Sequence, residues 1–146
     1  MLVTCICTGN TCRSPMAAAI LTELLRRRGR GDMTVTSAGL AADGSPAAEN
    51  AVEAMAEWGV DISGHISRPL TAELFAKTDR FLVMSPAHRQ ALLLAGAEES
   101  RVVLLGGGIP DPFGGSPEVY RATRDRLEIA LTDWLDTQPE ENHGEI

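Results

Sequence analysis

Short apolar runs alternate with longer amphipathic segments along the chain. Runs typical of strands cover residues 2–7, 33–38, 80–84 and 102–105. Patterns typical of helices cover residues 14–28, 46–58, 71–77, 86–95 and 117–135. Because strands alternate with helices, the pattern predicts an α/β fold in which helices cover both faces of a parallel sheet.

Local signals mark the ends of several of these elements. Ser14-Pro15 is typical of a helix cap followed by the first helical residue, and Gly59 is a typical stop. Residues 60–69 show no clear period, and residues 106–117 are rich in Gly and Pro, so we interpret both segments as loops.

The composition is that of one soluble globular domain. The 146 residues are 44% hydrophobic and 23% charged. We assign residues 1–137 to a single domain, which we expect to be monomeric, and residues 138–146 to a polar, flexible tail. A net charge of −7 argues against general nucleic-acid binding. We identify neither a membrane span nor a signal peptide in the sequence, and therefore expect a cytoplasmic protein without membrane association.

The candidate chemistry is concentrated in residues 7–15, CTGNTCRSP, between the first strand and the first helix. A tight loop at such a junction directs backbone N–H groups and the positive end of a helix dipole at one point, which creates an anion site. These groups and the Arg13 guanidinium favour the thiolate form of Cys7. Arg13 can also bind two oxygens of a phosphoryl group. We therefore predict that the loop holds a tetrahedral dianion with one face towards a nucleophilic sulfur.

The stretch from Cys7 to Pro15 resembles the phosphate-binding signature of the low-molecular-weight protein tyrosine phosphatase family, in particular its bacterial protein-arginine phosphatase branch. The resemblance extends to about Leu135 and implies a flavodoxin-like sheet of four parallel strands in the order 2-1-3-4. It also implies that phosphate is bound by Thr8, Gly9, Asn10, Thr11, Cys12, Arg13 and Ser14.

A thiolate that displaces a leaving group needs an acid on the opposite side, and Asp111 is the candidate. Asp-Pro is by itself an ordinary turn dipeptide, but here it follows the fourth predicted strand and resembles the general-acid segment of the family. Cys7, Arg13 and Asp111 together predict attack by sulfur on phosphorus, followed by hydrolysis of the phosphocysteine by a water that Asp111 activates. This chemistry requires no metal and no cofactor.

Supporting roles are predicted for three further residues. We expect Ser14 to donate a hydrogen bond to the thiolate. His65, in the loop at residues 60–69, is interpreted as a hydrogen-bonded structural residue, and the resemblance implies that it helps to hold Asn10. His88 and His143 have no companion that suggests catalysis.

The three cysteines all lie near the amino terminus. Cys5, on the first strand, is expected to be a packing residue. Cys12 either fills space in the loop or forms a reversible disulfide with Cys7 that protects it from irreversible oxidation, and the sequence leaves both readings open. The sequence around them offers no further His or Cys to complete a zinc site.

The resemblance favours phosphoarginine on proteins as the substrate. Thr11 stands where tyrosine phosphatases of the family usually carry an apolar residue, and its hydroxyl can orient water or meet a guanidinium. The loop from Leu40 to Ser45 has no aromatic wall, whereas Phe113 can pack on a substrate stem. Ala18 departs from the Glu common in the arginine-phosphatase branch. The predicted specificity residues are Thr11, Leu40 and Phe113. The alternative function is that of a protein-tyrosine phosphatase.

Two other classes of protein bind phosphate or its analogues. A thioredoxin-coupled arsenate reductase of this fold needs two more redox cysteines downstream of the loop, and none follows Cys12. A phosphate-binding module without catalysis would not need Cys7, Arg13 and Asp111 together.

Overall fold

The computed structural model describes residues 1–139 and contains a four-stranded sheet in which every strand pair is parallel. The strands are β1 (Leu2–Cys7), β2 (Thr34–Gly39), β3 (Arg80–Val83) and β4 (Val102–Leu104). Their order across the sheet is β2-β1-β3-β4, which confirms the predicted fold class and strand order.

Helices connect these strands and pack on both faces of the sheet. They are α1 (Arg13–Arg27), α2 (Glu49–Ala56), α3 (Ala72–Lys77), α4 (Pro86–Leu94) and α5 (Pro117–Asp136). Short 3₁₀ turns cover Glu99–Arg101 and Leu105–Gly107. No helix in residues 1–139 combines the length and the apolar character needed to cross a bilayer. Most of the predicted flexible tail, residues 140–146, lies outside the described residues.

The central strand β1 is apolar because both of its faces are covered. Side chains alternate between the two faces of a strand, and accordingly Val3, Cys5 and Cys7 belong to the core cluster that includes α1 and α5. Ile6 belongs to a second cluster on the other face, which contains Leu92 of α4. The continuous apolar run that predicted a buried parallel strand therefore has a direct structural cause.

The starts of α1 and α2 differ from the sequence prediction in ways that bear on the site. Cys12, not Ser14, is the N-cap of α1, because the Ser14 hydroxyl is engaged with Cys7 and Asn10 instead of capping a backbone N–H. Helix α2 begins at residue 49 instead of residue 46. Pro46 forms an antiparallel bridge with another segment, and the Ala48 N–H donates to a loop carbonyl, so the residues before α2 stay extended.

Gly39, at the end of β2, allows the loop after β1 to pack against β2. Cys7 lies opposite Gly39 in the parallel register. A Cβ atom at position 39 would lie 2.7 Å from the Thr8 carbonyl oxygen and 2.9 Å from the Asn10 Cβ. Both distances are too short for non-bonded atoms, so the absence of a side chain at Gly39 lets the loop approach the sheet edge.

We predict that Gly39→Ala lowers the free energy of unfolding by about 1–3 kcal/mol, because the added methyl group collides with backbone that cannot move independently. Gly31→Ala is the matched control, since a Cβ there meets nothing within 4 Å. Urea denaturation of both variants measures the effect. Equal stability of the two variants would contradict the close approach at Gly39.

Candidate active site

The loop between β1 and α1 reverses the chain within residues 8–12. Asn10 makes this possible by adopting a left-handed backbone conformation with φ of 57°. In the part of the chain that the structure describes, the backbone N–H groups of residues 9–14 donate no hydrogen bond to other protein atoms. The Cys12 side chain does not cap α1 either, and the first turn carries no acidic residue. The positive end of α1 is therefore available to an anion.

The Cys7 sulfur lies at the base of this loop, with its Sγ 2.9 Å from Ser14 Oγ. The Asn10 amide Nδ2 donates to the same Ser14 oxygen over 2.7 Å. Because that bond occupies a lone pair of Ser14 Oγ, the hydroxyl hydrogen is free to point at sulfur. The arrangement directs the Ser14 O–H at Cys7.

The side chain of Asn10 is fully buried and holds the loop to its surroundings. Its Nδ2 also donates to Ser37 Oγ of β2 over 3.0 Å, and its Oδ1 accepts the Arg68 N–H over 3.0 Å. His65 Nε2 lies 2.7 Å from the Asn10 carbonyl oxygen, which can only accept, so the proton is on Nε2. His65 therefore contacts the backbone of Asn10 and lies behind the loop.

Arg13 connects the loop to the segment after β4. Its side chain is buried, and Nη1 donates to the Ile109 carbonyl over 2.9 Å. Arg13 Nη2 also lies 3.7 Å from Asp111 Oδ2, although the carboxylate side chain is 55% exposed. Asp111 Oδ1 accepts the Phe113 N–H over 3.1 Å. The structure thus brings Arg13 and Asp111, far apart in sequence, to the same edge of the sheet as Cys7.

A cleft of about 720 Å³ opens above the loop. The predicted site residues that line it are Cys7, Thr8, Gly9, Thr11, Cys12, Arg13, Asp111 and Phe113. Leu40, a predicted specificity residue, lies outside this lining, whereas the adjacent Ala41 belongs to it. Its role in specificity stays a prediction.

Cys5 and Cys12 are buried thiols as well. Burial, and secondarily the nearby Cys7, raises the pKa of the Cys5 thiol to about 12, which fits a packing residue. Burial also raises the pKa of Cys12, against the opposing effect of a hydrogen bond from Tyr120. The Tyr120 hydroxyl lies 3.3 Å from Cys12 Sγ. All three cysteines are free thiols, so a disulfide between Cys7 and Cys12 stays a prediction.

Sequence reasoning missed two contacts of the loop. Tyr120 of α5 contacts Cys12, and His88 of α4, for which the sequence suggested no companion, lies with Nε2 2.9 Å from Thr8 Oγ1. A signal for His88 was present. Helix α4 starts immediately after β3, and the carboxyl ends of adjacent parallel strands share one edge, so its first turn must lie near the loop after β1.

Comparison with known proteins identifies chains that are similar to this one. The family model described as low molecular weight phosphotyrosine protein phosphatase matches residues 2–143. The protein-arginine-phosphatase of Bacillus subtilis (strain 168) is 40% identical over 135 residues, which cover 86% of this chain and 89% of that protein. The low molecular weight protein-tyrosine-phosphatase PtpB of Staphylococcus haemolyticus is 34% identical over 138 residues, which cover 87% of this chain and 92% of that protein.

Solved structures agree with the sequence matches. A YwlE arginine phosphatase mutant with a phosphorylated active site serine has a TM-score of 0.89 and 35% identity, and the match covers 99% of this chain and 100% of that chain. The family resemblance drawn from residues 7–15 is confirmed by these matches.

The environment of His88 predicts a pH dependence of stability. Burial, and secondarily the positive charge of Arg13, lowers the pKa of His88. Below about pH 6.5 the unfolded chain therefore binds a proton at this position that the folded chain does not yet bind. We expect the free energy of unfolding of the wild type, relative to His88→Gln, to fall as pH decreases from about 7.5 to 5.

Urea denaturation at several pH values measures this difference. Titratable groups that do not interact with His88 contribute equally to both proteins and cancel in the comparison. A difference that stays constant over this pH range would contradict the lowered pKa of His88.

Proposed function

This chain belongs to the low molecular weight phosphotyrosine protein phosphatase family, and we propose that it is a cysteine-dependent phosphatase that hydrolyses phosphoarginine on proteins. One observation carries the proposal. Cys7 Sγ lies 2.9 Å from Ser14 Oγ in a cleft whose lining also includes Arg13 and Asp111, so nucleophile, anion site and acid meet in one place.

The loop at residues 8–14 binds the phosphoryl group. Its free N–H groups donate hydrogen bonds to the phosphoryl oxygens, and the positive end of α1 stabilises their negative charge. Arg13 contributes a planar guanidinium that matches two of those oxygens. Its bond to the Ile109 carbonyl limits its freedom, so little conformational entropy is lost when the substrate binds.

The first chemical step transfers the phosphoryl group to sulfur. The Cys7 thiolate attacks phosphorus in line, and an S–P bond forms while the P–N bond to the arginine side chain breaks. Asp111, in its protonated form, gives its proton to the departing nitrogen, which leaves a positively charged arginine side chain and a phosphocysteine. The N–H groups and Arg13 stabilise the charge on the equatorial oxygens throughout.

The second step regenerates the enzyme. Asp111, now a carboxylate, accepts a proton from water, and the water oxygen attacks phosphorus while the S–P bond breaks. The products are inorganic phosphate and the Cys7 thiolate. Ser14, whose hydroxyl faces the sulfur, stabilises that thiolate by donating a hydrogen bond, and Asn10 keeps Ser14 in place.

Substrate choice is assigned to the wall of the cleft. Thr11 lies in the lining, and its hydroxyl is assigned to the polar guanidinium of phosphoarginine or to the attacking water. The protein-arginine-phosphatase name of the Bacillus subtilis relative supports this assignment. Phosphotyrosine is the second candidate, because the Phe113 side chain is 77% exposed at the same cleft and offers an apolar surface for an aryl ring.

We further propose that the protein is active as a monomer and that residues 1–137 form its phosphatase domain. We also propose that it acts in the cytoplasm. Cys7, Arg13 and Asp111 come from the same chain, so the cleft needs no residue from a second copy. The proposed nucleophile must remain a reduced thiol, which cytosolic reductants favour.

The roles of Cys7 and Asp111 are tested by substitution. We predict that Cys7→Ser abolishes measurable turnover and that Asp111→Asn lowers kcat by about 10²–10⁴-fold on phosphoarginine. The loss in Asp111→Asn should be much smaller with p-nitrophenyl phosphate, whose leaving group departs without a proton. Steady-state kinetics on both substrates measure the effect, with Asp133→Asn as a control of equal charge change on α5.

Equal losses of Asp111→Asn on the two substrates would contradict the general-acid role. Acid quenching during turnover, followed by mass spectrometry, should detect one phosphoryl group on Cys7 in the wild type. A wild type that binds phosphate but hydrolyses neither substrate would identify a binding module instead of an enzyme.

Thr11→Ile tests the substrate assignment. We predict that the variant loses more activity on phosphoarginine peptides than on phosphotyrosine peptides, because it replaces the hydroxyl in the cleft by an apolar side chain. Thr22→Ile, an exposed position on α1, is the matched control and should leave the ratio of the two kcat/KM values unchanged. A wild type that prefers phosphotyrosine would replace the assigned substrate by the alternative and leave the chemical steps intact.

A further inference from the structure

His88 is a buried titratable residue that the proposed chemical steps do not use. It is only 5% exposed, and its Nε2 lies 2.9 Å from Thr8 Oγ1. Its other ring nitrogen, Nδ1, is buried and has no hydrogen-bond partner in the part of the chain that the structure describes. A buried polar atom without a partner is costly, so this arrangement requires an explanation.

The lone Nδ1 indicates which tautomer is present. A proton on Nδ1 would leave a buried N–H donor unpaired, and such donors are rarer in proteins than unpaired acceptors. With the proton on Nε2, the ring instead donates to Thr8 Oγ1 and leaves only a lone pair unused at Nδ1. The Nε2–H tautomer is therefore favoured, and His88 acts as a donor to the threonine hydroxyl.

The ring must also stay uncharged to be compatible with its surroundings. Burial and the positive charge of Arg13 lower the pKa of His88, while Asp111 opposes this effect. A second proton would add a cation beside Arg13 and place an unpaired N–H at Nδ1. The neutral imidazole can donate a hydrogen bond from Nε2 without adding a positive charge at the loop.

Thr8 belongs to the loop that forms the proposed phosphate site. It directly follows Cys7, and it belongs to the lining of the cleft that contains Cys7 and Arg13. Its carbonyl accepts the Ala41 N–H over 2.8 Å, so the backbone and the side chain of Thr8 are both held in place. Since Oγ1 accepts from His88, the hydroxyl hydrogen of Thr8 is free to be donated elsewhere.

We propose that the Thr8 hydroxyl donates a hydrogen bond to the substrate's phosphoryl group. His88 is the positioning residue that orients this hydroxyl towards the phosphoryl oxygen. The proposal rests on the function proposed above, since it adds a side-chain donor to the same phosphate site. Thr8 would contact the substrate directly, and His88 would act only through Thr8.

Measuring the binding of inorganic phosphate tests the proposed roles of Thr8 and His88 separately from catalysis. We expect Thr8→Val to weaken phosphate binding by about tenfold to a hundredfold, because a hydrogen bond to a charged group is lost, whereas Thr8→Ser retains it. His88→Leu should weaken binding by about two- to tenfold, because the hydroxyl remains but is no longer oriented. His88→Gln, which carries an N–H donor, should restore most of the affinity. Isothermal titration calorimetry measures each dissociation constant.

The double variant distinguishes positioning from a general structural effect. If His88 acts only through Thr8, then the double variant, which carries both Thr8→Val and His88→Leu, binds phosphate as weakly as the Thr8→Val variant alone. Multiplicative losses would overturn the proposal, as would unchanged binding by Thr8→Val. Thermal unfolding identifies any variant that fails to fold, and the Thr8 pair then decides the outcome, since Val and Ser differ little in size from Thr.

Kinetics on p-nitrophenyl phosphate separates this inference from the proposed function. The wild type must first turn over that substrate or phosphoarginine, and failure to do so refutes the proposed function. An active wild type whose Thr8→Val variant keeps its kcat/KM refutes only the role of Thr8 and His88. The expected result is a fall in kcat/KM for Thr8→Val that parallels the loss of phosphate affinity.

Discussion

The reversal of the chain between β1 and α1 is the constraint on which the site depends. Five residues must turn the backbone from the end of a buried strand into the first turn of a helix while their N–H groups stay unpaired. The N–H groups of residues 9–14 bond to no other protein atom within the described residues 1–139, so contacts of carbonyls and side chains must hold the loop in shape. Asn10 provides the backbone conformation that makes the turn possible.

That support comes from several directions, and each contact leaves the N–H groups of residues 9–14 free. Asn10 is held through its side chain by Ser37 and through its carbonyl by His65. Thr8 is held through its carbonyl by Ala41 and through its hydroxyl by His88. The supporting contacts use carbonyls and side chains, so the loop is rigid in shape while its donors stay available to an anion. Such preorganisation reduces the cost of binding.

Much of the architecture could be predicted because it follows from local pattern. The apolar run of β1 and the Gly59 stop carry their own signals, and the family motif identifies the loop at residues 7–15. The start of α2 could not be predicted, because Ala48 bonds to a loop carbonyl in preference to starting the helix at Pro46. The contact of His88 with Thr8 is different, because the strand order implied by the resemblance already places the start of α4 near the loop after β1, and only the side-chain partner remained to be found.

The proposed use of backbone N–H groups as phosphate ligands has a consequence for inhibitor design. Main-chain donors are the same whatever the side chains are, so a compound that fills only the phosphate subsite will bind every enzyme that shares this loop shape. Selectivity must come from a second group that contacts side chains of the cleft wall, where Thr11, Glu49 and Phe113 lie. A small phosphate mimic attached to a cationic arm directed at Glu49 would be the starting compound for selective inhibition.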